Sequence, residues 1–251
     1  MRKYVFLMCM MAMATIMAGA QGVQDSLELN VGDFTTLNVN NNINVVYRAC
    51  KEKAGTAVLQ APRSMASRFI FKNDNKGKLT IQLTDYNFNT GVPTVTVYSS
   101  SLQEVVNQSD STVTIDSIPQ MPVFKAKTCN NGSIIIHGLN TLTTVLKEAT
   151  GKGHIYADGV TDKLECKLVG TGLICALRLK ARDISCTTGG SGHIYCQSTG
   201  GYLKLKGFGS GKVHYTGTPS EVKVKKLGTL KAIPYKADST TENPCDTCAT
   251  R

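Results

Sequence analysis

The sequence predicts an all-β chain wound as a parallel β-helix, a solenoid of about 19–21-residue coils with a less regular β-rich N-terminal part. Three observations carry this. Glycine turns recur as Gly151-Lys152-Gly153, Gly170-Thr171-Gly172, Gly190-Ser191-Gly192 and Gly209-Ser210-Gly211, with weaker copies at Asn130-Asn131-Gly132 and Ser109-Asp110-Ser111. Their last residues stand at 111, 132, 153, 172, 192 and 211, spacings of 21, 21, 19, 20 and 19, and Leu230 extends the series by 19. The second residue after each anchor is Val113, Ile134, Ile155, Ile174, Ile194 or Val213, always β-branched and apolar. Each repeat also holds a second alternating run, such as Leu164-Glu165-Cys166-Lys167-Leu168 or Leu203-Lys204-Leu205-Lys206.

A repeat of this length cannot bury a core alone, so neighbours must stack. Alternation in steps of two puts one set of side chains inside and the other outside, and the glycines suit tight corners. Two strands and two corners use up each repeat. The rung containing Val145-Leu146-Lys147-Glu148 fits the alternation poorly. A bulge is expected there.

Taken in order, residues 1–20 read as a cleaved signal peptide. Arg2 and Lys3 precede an almost wholly apolar run, and Ala18-Gly19-Ala20 ends in a small-x-small site. The apolar run is shorter than the roughly 20 residues a membrane span needs. The rest, 21–240, is expected to be a single β-helix domain, with a strand-rich part at 27–100, regular coils over 101–233 and a loose tail at 241–251. In the N-terminal part, Phe34-Thr35-Thr36-Leu37-Asn38-Val39, Ile43 to Tyr47, Leu79 to Leu83 and Thr94 to Tyr98 alternate like strands. A short helical piece is expected around 64–69. This part is expected to add wider coils or a sheet that covers one end of the rod, since a terminal rung exposes unpaired backbone.

The chain carries a formal charge of +10, which falls to +8 without Arg2 and Lys3. Its lysines are spread along strands and Trp is absent, which argues against nucleic acid. An anionic glycan, a cell-envelope component or a protein partner suits an exported basic chain better. Eight cysteines follow the leader. Cys166 and Cys186 hold equivalent inward places one rung apart, where either a disulfide or a pair of buried thiols fits. Cys245 and Cys248 form a lone CxxC, which reads as a local disulfide or part of a loose end, since a metal site needs further ligands.

The alternating strands and glycine turns, from Phe34-Thr35-Thr36-Leu37-Asn38-Val39 through Val95 to Leu102 and on to the Tyr215-Thr216-Gly217-Thr218-Pro219 element, resemble the bacterial family of putative autotransporter adhesins with a head GIN domain. The resemblance covers roughly Phe34 to Ile233. It implies a β-helix beyond the inner membrane, in the periplasm or on the outer surface, and an adhesin-like role without assigned catalytic residues. The cysteines and the degenerate turns at 109–111 and 130–132 depart from that pattern.

Two outward columns emerge from the repeat. One runs Thr112, Ser133, His154, Leu173, His193, Lys212, and the other Thr114, Ile135, Tyr156, Cys175, Tyr195, His214. Candidate binding residues are therefore His154, Tyr156, His193, Tyr195, Lys212 and His214, aromatic and polar groups suited to sugar rings or a partner protein. On the opposite wall Lys167, Lys204, Lys206, Lys223 and Lys225 form a basic face for anionic polymers, or simply a solvated face. No metal site or cofactor is expected. The carboxylates are scattered, so a non-catalytic surface or periplasmic binding protein is favoured over a polysaccharide-cleaving enzyme on the same scaffold. Self-association through the ends of the rod is a third option.

Overall fold

The structure is a computed structural model that describes residues 26–60, 63–74, 76–84, 91–236 and 245. Eighteen described strands join one hydrogen-bonded sheet. The N-terminal ones are β1 (Ser26–Asn30), β2 (Thr36–Val39), β3 (Asn44–Ala49), β4 (Thr56–Gln60), β5 (Phe69–Asn73), β6 (Lys78–Leu83) and β7 (Thr94–Ser99). Then come β8 (Glu104–Asn107), β9 (Thr112–Ile115), β10 (Met121–Thr128), β11 (Ser133–Glu148), β12 (His154–Gly170) and β13 (Leu173–Gly190). The last are β14 (His193–Ser198), β15 (Tyr202–Gly209), β16 (Lys212–Gly217), β17 (Glu221–Gly228) and β18 (Lys231–Pro234). The expected helical piece is one short turn, α1 (Arg63–Ala66).

The chain winds around an axis in parallel coils. Val95, Val45, Val113, Ile134, Ile155, Ile174, Ile194 and Val213 follow one another in register along the first wall. All are buried, so the file read from the sequence is the inside of the rod. A second interior file runs Leu79, Leu37, Val105, Ala126, Leu146, Cys166, Cys186 and Leu205. Burial of these apolar columns is the main stabilising term, since no single coil has a core of its own.

The middle coils have a third wall that two-strand reasoning omits. β11, β12 and β13 turn the corner without losing their pairing, so Leu139 lies beside Gly159 and Gly159 beside Leu179. Register shifts after Ile136, Tyr156 and Ala176 make that bend. These are the bulges of the rod, and the rung that contains Val145 to Glu148 carries its own after Ile136, not at 145–148. There the alternation continues in step with both neighbours, and Glu148 simply points inward.

Glu148 is fully buried, between Thr128 and Leu168 in its column and under the Gly170–Gly172 corner. Asn107 and Thr128, lower in the same column, donate to the carbonyls of Ser111 and Gly132 at 2.8 and 3.1 Å. A carboxylate cannot donate. Among the described residues neither Glu148 oxygen meets a donor in hydrogen-bond geometry. Burial pushes its carboxyl up to about 7, and the Val169 amide offsets only part of that.

The glycine corners are required by close approach of successive coils. A Cβ on Gly192 would stand 2.5 Å from the Gly172 carbonyl oxygen and from a Leu168 methyl. Gly192→Ala therefore forces backbone apart and is expected to cost about 2 kcal/mol. Urea unfolding checks this, and an unchanged midpoint would contradict it.

The N-terminal part is not wound in sequence order. The coil of β2 and β3 lies between that of β6 and β7 and that of β8 and β9. Beyond β6 and β7, the antiparallel strands β5 and β4 close the end, with β1 outside β4. The far end differs. Among the described residues β17 pairs only with β15, and β18 only with β16. The inward positions Val222 and Val224 are consequently 40% and 41% exposed, whereas Leu203 and Leu205 one coil below are buried.

The expected leader, its cleavage site and Cys248 lie outside the described residues. No helix among the described residues is long and apolar enough to cross a membrane.

Candidate functional site

Parallel coils place residues 19–21 apart directly above one another, about 4.8 Å apart. That spacing brings part of the expected stripe together. His193 pairs in register with Lys212, and Tyr195 with His214. The Tyr195 and His214 rings are parallel within 9° with centroids 4.5 Å apart, a stacked pair. His193 Nδ1 meets His214 Nε2 at 3.3 Å, and the two imidazoles also stack at 5.5 Å. Burial first, and then Lys212, hold the His193 imidazole below the usual histidine range. For His214 the causes are burial, then His193, then Lys212. Both shifts favour the uncharged ring, and between two uncharged imidazoles one nitrogen donates to the other.

Tyr235 completes the cluster. Its ring stands edge-on to Tyr195 and His214, at 87° to each and 5.6 and 6.3 Å away. The two walls of rings form a half-buried aromatic corner with Lys212 exposed beside it. Sequence reasoning missed Tyr235 because it considered only the first and third positions after each anchor. The fifth position, occupied by His137, Asp158, Leu177, Gln197, Thr216 and Tyr235, also faces outward, and extending the register past Leu230 finds it.

The other members of the stripe do not join. His154 lies two coils below His193, with Leu173 between them. Tyr156 is only 1% exposed and is therefore not a surface residue. It packs with Ile135, Cys175 and Cys245 in a small apolar cluster on the outside of the first wall, edged by Leu173, Leu177 and Tyr195. His137 flanks this cluster and bonds to Asp158 at 2.8 Å.

The cysteines correct the sequence reading. Cys245 is bonded to Cys175, with Cα atoms 5.7 Å apart, instead of to a near neighbour in a local loop. Cys245 is itself fully buried, so the tail is pinned to the rod at that residue. The candidate Cys166–Cys186 bridge is not formed. The two are register partners in the second interior file, and with Cys196 they are buried free thiols. The neighbouring Cys166 thiol first, and burial after it, raise the Cys186 thiol well above its usual range. Cys186 and burial do the same to Cys196. Such thiols pack as small apolar groups.

Lys167, Lys204, Lys206, Lys223 and Lys225 point outward as expected, and Lys204 pairs with Lys223 and Lys206 with Lys225 across β15 and β17. Lys204 lies over the Tyr202 ring at 3.9 Å, and Lys223 meets Glu221 at 2.7 Å. Along the bend, a shallow groove of about 430 Å³ is lined by Leu142, Val160, Asp162, Lys180 and Arg182 among others. It holds one carboxylate, so the two-carboxylate arrangement of glycosidic cleavage is not built there. Among the described residues no group of three or more His, Cys, Asp or Glu is placed to hold a metal ion.

Comparison with known proteins follows from this geometry. The family described as putative auto-transporter adhesin, head GIN domain, matches residues 33–219. Among solved structures, a putative adhesin from Bacteroides fragilis superposes with a TM-score of 0.75 at 16% identity, covering 84% of this chain and 96% of that one. A protein from Parabacteroides distasonis described as a putative lipid binding protein gives 0.64 at 18% identity, with the same coverage. A putative adhesin from Parabacteroides merdae gives 0.60 at 16% identity, again covering 84% and 96%. At these identities the likeness is one of fold. No curated protein matches the chain in sequence.

Proposed function

We propose a function from one premise: this chain belongs to the putative auto-transporter adhesin, head GIN domain family. It acts as an exported, non-catalytic binding protein of the periplasm or outer cell surface, and its ligand is an anionic glycan. The apolar run before Ala18-Gly19-Ala20 supports export.

One observation carries the ligand class, the aromatic corner of Tyr195, His214 and Tyr235. A sugar ring presents a face of C–H groups, which packs against flat aromatic rings in the same way as other apolar surface. The nitrogens not used between His193 and His214 serve as hydrogen-bond partners for hydroxyls. Lys212, with Lys231 one coil above it, supplies positive charge for a carboxylate or sulfate on the chain.

A panel of acidic and neutral glycans tests this. Tyr195→Ala and His214→Ala are each expected to weaken binding of an acidic glycan about two- to tenfold, the worth of one aromatic contact. Lys212→Gln is expected to weaken acidic but not neutral ligands. No binding across the panel, or equal affinity in all three variants, would overturn the reading. Turnover of a polysaccharide that is lost on changing a single carboxylate would instead favour the enzyme alternative.

A further inference from the structure

We propose that the outward face of β15 and β17, on the wall of the second interior file, docks onto an anionic lipid bilayer surface, with Phe208 and Leu227 entering the headgroup layer and the lysines beside them contacting lipid phosphates. The inference goes beyond the glycan reading and does not rest on it, since the aromatic corner belongs to the first wall.

Alternate residues share a face of a strand. On β15 the outward row is Tyr202, Lys204, Lys206 and Phe208, and on β17 it is Glu221, Lys223, Lys225 and Leu227, with Glu221 at the far edge bonded to Lys223 at 2.7 Å. The two rows pair residue for residue, giving a patch two coils deep with four lysines on its flat and an apolar pair at its corner. Phe208 is 62% exposed and Leu227 80%. Gly189 lies under Phe208 in register, and a Cβ there would come within 2.9 Å of the Phe208 ring, so the missing side chain lets the ring rest on the backbone. The apolar corner continues down the rod to Val169, also exposed.

The lysines extend down the rod too. Lys127, Lys147, Lys167, Thr187, Lys206 and Lys225 form one outward column in register, which contains no acidic residue. Of its lysines, Lys167 alone has a carboxylate within 4.0 Å among the described residues, namely Glu165, which sits closer to Lys163 at 2.8 Å. At the end of the column, Lys204, Lys206, Lys223 and Lys225 surround a recess of about 250 Å³.

Charge and apolarity together decide the occupant. Exposed apolar side chains flanked by basic residues are what an anionic membrane interface selects, the former by partition and the latter by surface potential. A polyanionic sugar would satisfy the lysines and leave Phe208 and Leu227 in water. A second copy of the chain would cover the apolar pair but would bring like-charged lysines together, which opposes association.

The test uses the chain recovered from the envelope of expressing cells and sediments it with vesicles of phosphatidylcholine, alone or mixed with phosphatidylglycerol. Binding is expected only to the mixed vesicles and is expected to fall as salt rises. The double variant Lys206→Glu/Lys225→Glu should lower partitioning at least about twentyfold, from roughly fivefold per lysine. Phe208→Ser/Leu227→Ser should lower it about tenfold while leaving the salt dependence in place. Circular dichroism and the thermal midpoint verify the fold of each variant, and Tyr195→Ala should bind vesicles as the parent does. Equal binding to both vesicle types, or no loss in the lysine variant, would overturn the proposal. So would binding to a soluble polyanion without binding to vesicles, or self-association that Phe208→Ser/Leu227→Ser abolishes.

Discussion

Cys245→Ala is expected to lower the unfolding free energy of the chain by about 4 kcal/mol, the loop-closure value for a cross-link across some 70 residues. The bond ties a residue near the C-terminus to the middle of the rod, so it restrains the unfolded chain over four coils. In the folded state it adds Cys245 to the apolar cluster of Ile135, Tyr156 and Cys175. Cys175→Ala should have a similar effect, and the double variant should be no worse than either, because both remove one bond. Denaturant unfolding of the parent with reductant should reproduce the single variants. A loss below about 1 kcal/mol in all of these would show that the bond does not constrain the fold as its span requires.

Glu148→Gln is expected to act in the opposite direction. The folded carboxyl titrates at about 7, against an ordinary value of 4.5. Its raised value means that the folded state holds the proton more tightly than the unfolded chain does. The sign follows from that. Below the ordinary value both states are protonated and the group is neutral in its effect. As pH rises from 4.5 towards 7 the unfolded chain releases its proton first, so stability falls, and the loss is complete above the folded value. A displacement of this size corresponds to about 3 kcal/mol above neutral pH. Thr128, Leu168 and the glycine corner that face the carboxyl carry no charge to offset it. Gln fills the same space, never ionises and brings a donor, as Asn107 does lower in the column. Urea midpoints across this pH range should slope downward in the parent and be nearly flat in Glu148→Gln. Equal slopes in both would refute the assignment.

These two residues also mark where local reading stops. In the sequence Glu148 lies in the rung that fits the alternation poorly, where a bulge is expected. At 145–148 the pairing of Lys147 with Lys127 and Lys167 holds the register on both sides, and the carboxyl goes inside with its titration moved up to about 7. Cooperative stacking of neighbouring coils outweighs the preference of one side chain. Tyr156 and Cys175 look solvent-facing because they lie on the outer side of their strands, and so they do. They are buried because Cys245 returns from the far end of the chain to cover them. Lys204, Lys206, Lys223 and Lys225 needed no such knowledge, since nothing among the described residues covers that wall.

From the sequence by itself came the coil length, the β-branched interior file from Val113 to Val213, the glycine corners, the lysine columns and the family likeness. All of these repeat locally, with a period of two along a strand and about 20 between coils. Only the tertiary structure decided that β2 and β3 are inserted between later coils, that Tyr235 joins Tyr195 and His214, and that Cys175 takes Cys245 as its partner. The physical reason is that a repeat dictates which face of each strand turns inward, whereas what lies against the outer face depends on contacts between residues far apart in the chain, which no local period encodes.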